Sequence, residues 1–200
     1  MQKSSMIFFL LLAALALLGA YYATIDAEQS QLLVRFLGAA AFLLLCVSLM
    51  IGPLFVFRPR EFAQLVEPRR AVGLSAFVFV MMHGILVTAL YFNWDVQAML
   101  SFQPLQFGIA AALIILAIAA VSNDFALAKL GKWWKKIQQL NYVAFSLALL
   151  HFFFVSGLAG GPKPPSAAIY FLLGMGILTI VMQVAGFLMR RNRDAPKAMG

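Results

Sequence analysis

The sequence predicts an all-α membrane protein, a bundle of six transmembrane helices with both termini on the cytoplasmic side. Three observations carry that prediction. The chain of 200 residues is 64% hydrophobic and 11% charged, with a mean hydropathy of +0.93, whereas soluble domains run about 45–50% apolar and roughly 25% charged. Its apolar residues fall in runs near the length a helix needs to cross a hydrocarbon core of about 30 Å. Its cations also sort by face once those runs are drawn as alternating spans. Polar residues occupy only short strips between runs, which excludes a soluble nucleotide-binding or flavin-binding domain of ordinary size.

The first span, residues 6–23, follows Lys3. Residues 1–23 also fit a cleaved signal peptide, with small residues around Gly19 and Ala20. The apolar run continues through Tyr21, Tyr22 and Ala23, so retention as a span is expected. The second span, 35–57, begins at Arg35 and ends before Arg58 and Arg60. The third, 71–92, follows Arg69 and Arg70. The fourth, 104–122, leads to Lys129, Lys132, Lys135 and Lys136, after which the fifth runs 137–157. Gly160, Gly161, Pro162, Pro164 and Pro165 then make a turn-rich connection. The sixth, 166–189, ends before Arg190, Arg191, Arg193 and Lys197. Short spacers make neighbouring helices antiparallel within one membrane domain covering 1–200, and no internal repeat is visible.

One face of this arrangement collects thirteen of the fifteen cations, leaving Arg35 and Lys163 for the other. The positive-inside rule then places both termini and the second and fourth loops in the cytoplasm. The net charge of +8 thereby reads as orientation and attraction to membrane lipid, with no nucleic-acid partner. The single cysteine, Cys46, lies within an apolar run and is read as core. It permits no intramolecular disulfide, thiolate cluster or C-x-x-C-H haem attachment.

Ionisable residues deep in a span are costly and are candidates for function. The two histidines are both deep: His83 in the third span and His151 in the fifth. Each lies about 20 Å from the cytoplasmic end of its helix at 1.5 Å per residue. Two imidazoles at one depth on different helices suit bis-histidine ligation of a b-type haem in a bundle core. Phe77, Phe79, Phe145, Phe152, Phe153 and Phe154 would surround it with apolar bulk, and Gly84 and Gly157 would permit close approach. Interhelical hydrogen bonding or part of a metal site are the competing uses of such a pair. No acidic residue or thiol lies at that depth to complete a zinc or iron set. Met81 and Met82, which flank His83, are read as packing residues and not as substitute ligands.

Arg69-Arg70-Ala71-Val72-Gly73-Leu74, with Phe77 and then His83, resembles a run of the ferric-reductase-like transmembrane family. Ser122-Asn123-Asp124, the stretch Lys129-Leu130-Gly131-Lys132-Trp133-Trp134-Lys135-Lys136, Tyr142 and His151 match a second, and Ile51-Gly52-Pro53-Leu54 a weaker third. Together they cover about residues 35–155. Within the family they are most similar to haem-binding membrane subunits that serve a periplasmic methionine sulfoxide reductase. The resemblance implies a multi-pass b-type cytochrome of the inner (plasma) membrane. It would be the electron-transfer subunit of an oxidoreductase and not a self-contained enzyme.

Carried over by position, the resemblance makes His83 and His151 the axial iron ligands of the haem nearer the outer face. The family's further histidine at the start of the fifth span falls on Gln138. The inner position of the third span falls near Arg69 and Arg70, which cannot ligate iron. One haem b is therefore expected. Gln138 is a candidate to line an inner flavin (FMN) or quinone site, although an ordinary helix-end role fits it well. Arg35 is a candidate partner for a haem propionate, or an interfacial snorkelling residue. Complete enzymes of the family append a flavin and nicotinamide domain after the last span, and few residues follow Met189. Electrons are thus expected from a separate cytoplasmic flavoprotein or quinol, with the acceptor at the outer face: a periplasmic reductase, ferric iron or oxygen. Lys129–Lys136 would dock an acidic reductase or an FMN phosphate, and Trp133 and Trp134 would anchor at the interface. The alternatives are a transporter or channel using the histidine pair for protons or metal ions, and a cofactor-free assembly partner.

Overall fold

The structure is a computed structural model in which residues 27–159 and 166–194 are described. The expected first span at 6–23, the connection at 160–165 with Lys163, and Lys3 and Lys197 lie outside the described residues. Eight helices are found among them: α1 (Ala27–Phe57), α2 (Pro59–Val66), α3 (Arg69–Phe92), α4 (Val96–Ser101), α5 (Gln103–Ala120), α6 (Asp124–Leu130), α7 (Lys132–Val155) and α8 (Ala167–Asp194). Five of them, α1, α3, α5, α7 and α8, are long and apolar enough to cross a bilayer. They correspond to the second through sixth expected spans.

The helices outrun the apolar segments that announced them. The fifth, expected from residue 137, begins at Lys132, and the second, expected from 35, begins at Ala27. Hydropathy marks only the part of a helix that lies in hydrocarbon. Backbone hydrogen bonding continues through the interfacial turns, where lysine and arginine stems extend along apolar surface toward water. The connections are likewise helical where loops were expected. Pro59 starts α2, with a fixed φ and no N–H to lose. Asp95 caps α4 by accepting the Ala98 N–H at 2.9 Å, and Asn123 caps α6 by accepting the Ala126 N–H at 2.7 Å.

Side-chain contacts fix the helix directions. His83 lies beside Val34 and Arg69 beside Ser48, so α1 and α3 are antiparallel. His151 lies beside Pro104 and Gln138 beside Ser122, so α5 and α7 are antiparallel too. Gln183 reaches the Leu49 carbonyl at 2.6 Å and Gly186 packs on Pro53, which makes α8 parallel to α1. Helix α1 is central and supplies more of the buried apolar side chains than any other. Phe42, Leu45, Cys46 and Leu49 pack with Ala76, Ile115, Ala144, Phe145 and Leu172. The Phe42 ring stacks on Phe145 at 5.9 Å and on Phe152 at 5.5 Å. Cys46 is fully buried, as its place in an apolar run implied.

Large apolar side chains also cover the outside, among them Phe36, Leu113, Phe171, Val181 and Phe187. In water such a surface would be an association hazard, but facing lipid tails it is the favoured one. Buried hydroxyls inside the bundle are satisfied internally, as a bilayer requires. Ser75 donates to the Ala71 carbonyl and Thr179 to the Met175 carbonyl, both at 2.8 Å.

The end of the bundle that carries most of the cations is tied by polar contacts. Arg70 donates to the Ser122 carbonyl and pairs with Asp124, both at 2.7 Å. The Trp134 indole N–H donates to the Val121 carbonyl at 2.9 Å, closing the C-terminus of α5 instead of serving only as an interfacial anchor. The Arg70–Asp124 pair is exposed, and such pairs contribute roughly 0–1 kcal/mol. Asp124→Asn should therefore lower stability less than Asn123→Ala, which removes a cap worth about 1 kcal/mol. Thermal unfolding in detergent reads the two, and the reverse order would contradict this account.

Candidate functional site

The two histidines, far apart in sequence, come together where α1, α3, α5 and α7 meet. Their ring centres are 6.4 Å apart and the ring planes cross at 72°. The equal depth inferred from residue counts is thus real, and the helices that carry them face one another.

Each ring is held by a neighbouring helix. His83, on α3, donates its Nδ1–H to the Val34 carbonyl of α1 at 2.9 Å. His151, on α7, donates its Nδ1–H to the Pro104 carbonyl of α5 at 2.8 Å. A carbonyl oxygen can only accept, so both rings are Nδ1–H tautomers with the lone pair on Nε2. Neither Nε2 has a hydrogen-bond partner among the described residues, and neither is sealed off by protein. In an apolar surround an idle lone pair of this kind is costly.

The spacing decides what such a pair can do. A hydrogen bond between the two Nε2 atoms, at about 3 Å, would bring the ring centres to roughly 5 Å. A metal–imidazole bond is about 2 Å, and the ring centre lies roughly 1 Å further back, so one six-coordinate iron needs centres about 6 Å apart. The observed separation fits the second arrangement, and the donor set fits haem, whose iron takes two axial imidazoles. Among the described residues no group of three or more His, Cys, Asp or Glu side chains gathers here to complete a tetrahedral site.

The phenylalanines divide between separate clusters. Phe77, Phe145 and Phe152 belong to the core around Phe42 and Leu45, and Phe79 packs with Leu33 and Leu37 under α1. Phe153 and Phe154 stand on the exposed side, with Phe154 stacked on Phe107 at 5.9 Å. Met82 packs against the Leu33–Phe79 cluster. Gly84 has open space beside it, nothing lying within 4 Å of where a Cβ would sit. Gly157 turns the chain after α7 with φ of 83°. The imidazoles themselves approach two other glycines, Gly38 and Gly108, and sequence reading passed over both. A periodic apolar run does not say which helix face meets which neighbour.

The remaining candidates lie elsewhere. Arg35 follows Val34 on the exposed face of α1 and makes no hydrogen bond or ion pair among the described residues. Gln138 is not brought to the histidines: its Nε2 donates to Ser122 Oγ at 3.1 Å, and its own carbonyl accepts from Asn141 at 3.1 Å. Arg69 donates to the Ser48 carbonyl at 3.0 Å and lies close to Arg190 over Gly52. Lys129, Lys132, Lys135 and Lys136 are exposed, with Lys136 over the Trp133 ring at 4.4 Å.

Comparison with known proteins places this arrangement in context. The sequence profile described as "ferric reductase like transmembrane component" matches residues 37–149. Three curated relatives each carry the name "protein-methionine-sulfoxide reductase heme-binding subunit MsrQ". The protein from Pasteurella multocida is 31% identical over 132 residues, 64% of this chain and 63% of its own length. The one from Agrobacterium fabrum is 30% identical over 120 residues, 58% and 54% of the two chains. The one from Salmonella paratyphi B is 26% identical over 161 residues, 78% of each. The match thus spans less than two thirds of the length of the first two.

Proposed function

The chain belongs to the ferric reductase like transmembrane component family, and from that premise we propose that it is a b-type haem protein. It relays electrons from a donor on the cytoplasmic side to an acceptor at the outer face. The observation that carries the proposal is the pair of Nδ1–H-bonded imidazoles with ring centres 6.4 Å apart. A haem held between them would supply one-electron redox chemistry.

The chain's own residues supply the rest. His83 and His151 would hold the iron through Nε2. Phe77, Phe145 and Phe152 would keep water away, and burial together with hydrogen bonding to the ligands would set the potential. Arg35, exposed one residue beyond Val34, would meet a carboxylate at the outer edge. One haem is proposed: at the inner positions Arg69 has no lone pair to offer, and Gln138 is engaged with Ser122. Arg69 begins its helix about 20 Å from His83, a long gap for one electron step. Gln138 and Tyr142 therefore stand where a quinol, an FMN or a flavoprotein donor has to reach in. The exposed lysines of α6 and α7 would attract an acidic donor. The relatives are named as subunits of a protein-methionine-sulfoxide reductase, and a reductase of that kind is the acceptor assigned here to the outer face. The inner-membrane orientation, with the cationic end in the cytoplasm, rests on the distribution of arginine and lysine.

Reduced-minus-oxidised spectra of the purified protein, with a pyridine haemochrome count, test this. A low-spin b-type Soret and α-band at a stoichiometry near one are expected. Absence of any band would discard the proposal in favour of proton or metal-ion transport, and a stoichiometry near two would overturn the single-haem assignment.

A further inference from the structure

Each imidazole occupies the place where a β-carbon would otherwise stand on the neighbouring helix. A Cβ built on Gly38 would come within 2.9 Å of His83 Cε1 and 3.0 Å of its Nδ1. One built on Gly108 would come within 2.9 Å of His151 Nδ1 and 3.0 Å of its Cε1. Contacts that short do not occur between real atoms of these kinds, so any larger residue would have to displace the ring.

The reason lies in helix geometry. The carbonyl that accepts each Nδ1–H lies four residues before the glycine: Val34 before Gly38, Pro104 before Gly108. Within the helix that oxygen already faces the N–H of the residue four positions on, which is the glycine. A second donor must come from outside, over that residue's β-carbon, because Cα–Cβ bonds tilt toward the helix N-terminus. Glycine alone leaves the path open.

The same seat is built twice. One copy is α1 with α3 and the other α5 with α7, each an antiparallel pair, with carbonyl and histidine 49 residues apart in the first and 47 in the second. No internal repeat shows in the sequence, yet the two helix pairs present their histidines to each other in equivalent fashion.

We propose that Gly38 and Gly108, each with its carbonyl partner on Val34 or Pro104, are positioning residues for the iron ligands. They lock both rings in the Nδ1–H tautomer, hold the ring orientation and strengthen Nε2 as a donor. This rests on the assignment of His83 and His151 as the haem ligands. Hydrogen bonding at the remote nitrogen raises ligand basicity and so favours the oxidised iron. A ring pushed off its carbonyl is a weaker donor, and the potential rises.

The test compares Gly38→Ala and Gly108→Ala in the full chain with Gly174→Ala, a helical glycine where a Cβ meets nothing within 4 Å. Helix propensity alone favours alanine at all three positions. The control variant should keep wild-type potential and low-spin EPR. Each seat variant should lose about tenfold in its preference for the oxidised state, a rise of about 59 mV for one electron, with altered EPR g-values. Wild-type potential and EPR in both seat variants would overturn the proposal. A wild-type protein without haem would instead overturn the ligand assignment beneath it. Pulsed EPR on 15N-histidine-labelled wild-type protein needs no variant to accumulate. Both ligands should show a hydrogen-bonded remote N–H, and a bare remote nitrogen on either counts against the seats.

Discussion

Replacing either His83 or His151 with alanine is expected to remove the low-spin haem spectrum and to cut haem retention through purification by well over tenfold. Even partners in the shell behind metal ligands typically contribute 10–100-fold in affinity, and a ligand itself contributes more. Neither ring has a substitute: no third His, Cys, Asp or Glu gathers with the pair among the described residues. Met82 is packed against Leu33 and Phe79. Met81 precedes His83 by two residues and so stands about 200° around α3 from it, on nearly the opposite face. The two substitutions should be nearly equivalent, because each leaves one imidazole on its seat and one open iron face. Haem at full occupancy in both variants, measured by pyridine haemochrome, would remove the ligand assignment. Haem lost from one variant only would show that the two seats are not equivalent.

Phe42→Ala should have the largest effect on stability. Phe42 sits on the central helix, stacked on Phe145 and Phe152 and with Cζ 3.2 Å from where a Cβ on Gly176 would be, so it joins α1 to α7 and α8. In a soluble core this change costs 3–5 kcal/mol, part of it lost transfer free energy. Here the unfolded helices remain in lipid, so the transfer part largely vanishes and the cavity and lost packing contacts remain. We expect a loss of about 2–3 kcal/mol, with weaker haem retention because Phe152 adjoins His151. Equilibrium unfolding in mixed micelles measures it. A change below about 0.5 kcal/mol, the range of ordinary surface substitutions, would show that the ring stack is not a structural joint.

Much of the architecture was legible beforehand because the bilayer leaves so few options. A run such as 71–92 must be a helix if it spans at all, since lipid offers no partner for open backbone groups. Short connections then dictate antiparallel neighbours. The histidines stood out for the same reason: imidazoles are rare at that depth, and residue counts place His83 and His151 level because every helix rises by the same increment. The helical connections α2, α4 and α6 were missed. Their signals are caps and short amphipathic turns such as Asn123 to Ala126, which hydropathy does not register. Trp134 was assigned to the interface from its type alone, although its indole N–H closes the end of α5.

By itself, then, the sequence determined a multi-pass helical membrane protein and its family, and singled out the two histidines proposed to carry its chemistry. All of these follow from one-dimensional quantities: hydropathy, length, position along a helix and local motif. The rotation of each helix about its axis was left to the tertiary structure. That rotation turns Gly38 and Gly108 toward the imidazoles and brings the Val34 and Pro104 carbonyls to Nδ1. It makes two unrelated stretches of chain into equivalent halves of one site. Such facing is set by how α1, α3, α5 and α7 pack, where gaps of a few tenths of an ångström decide the outcome and apolar residues on every side of a helix look alike in sequence.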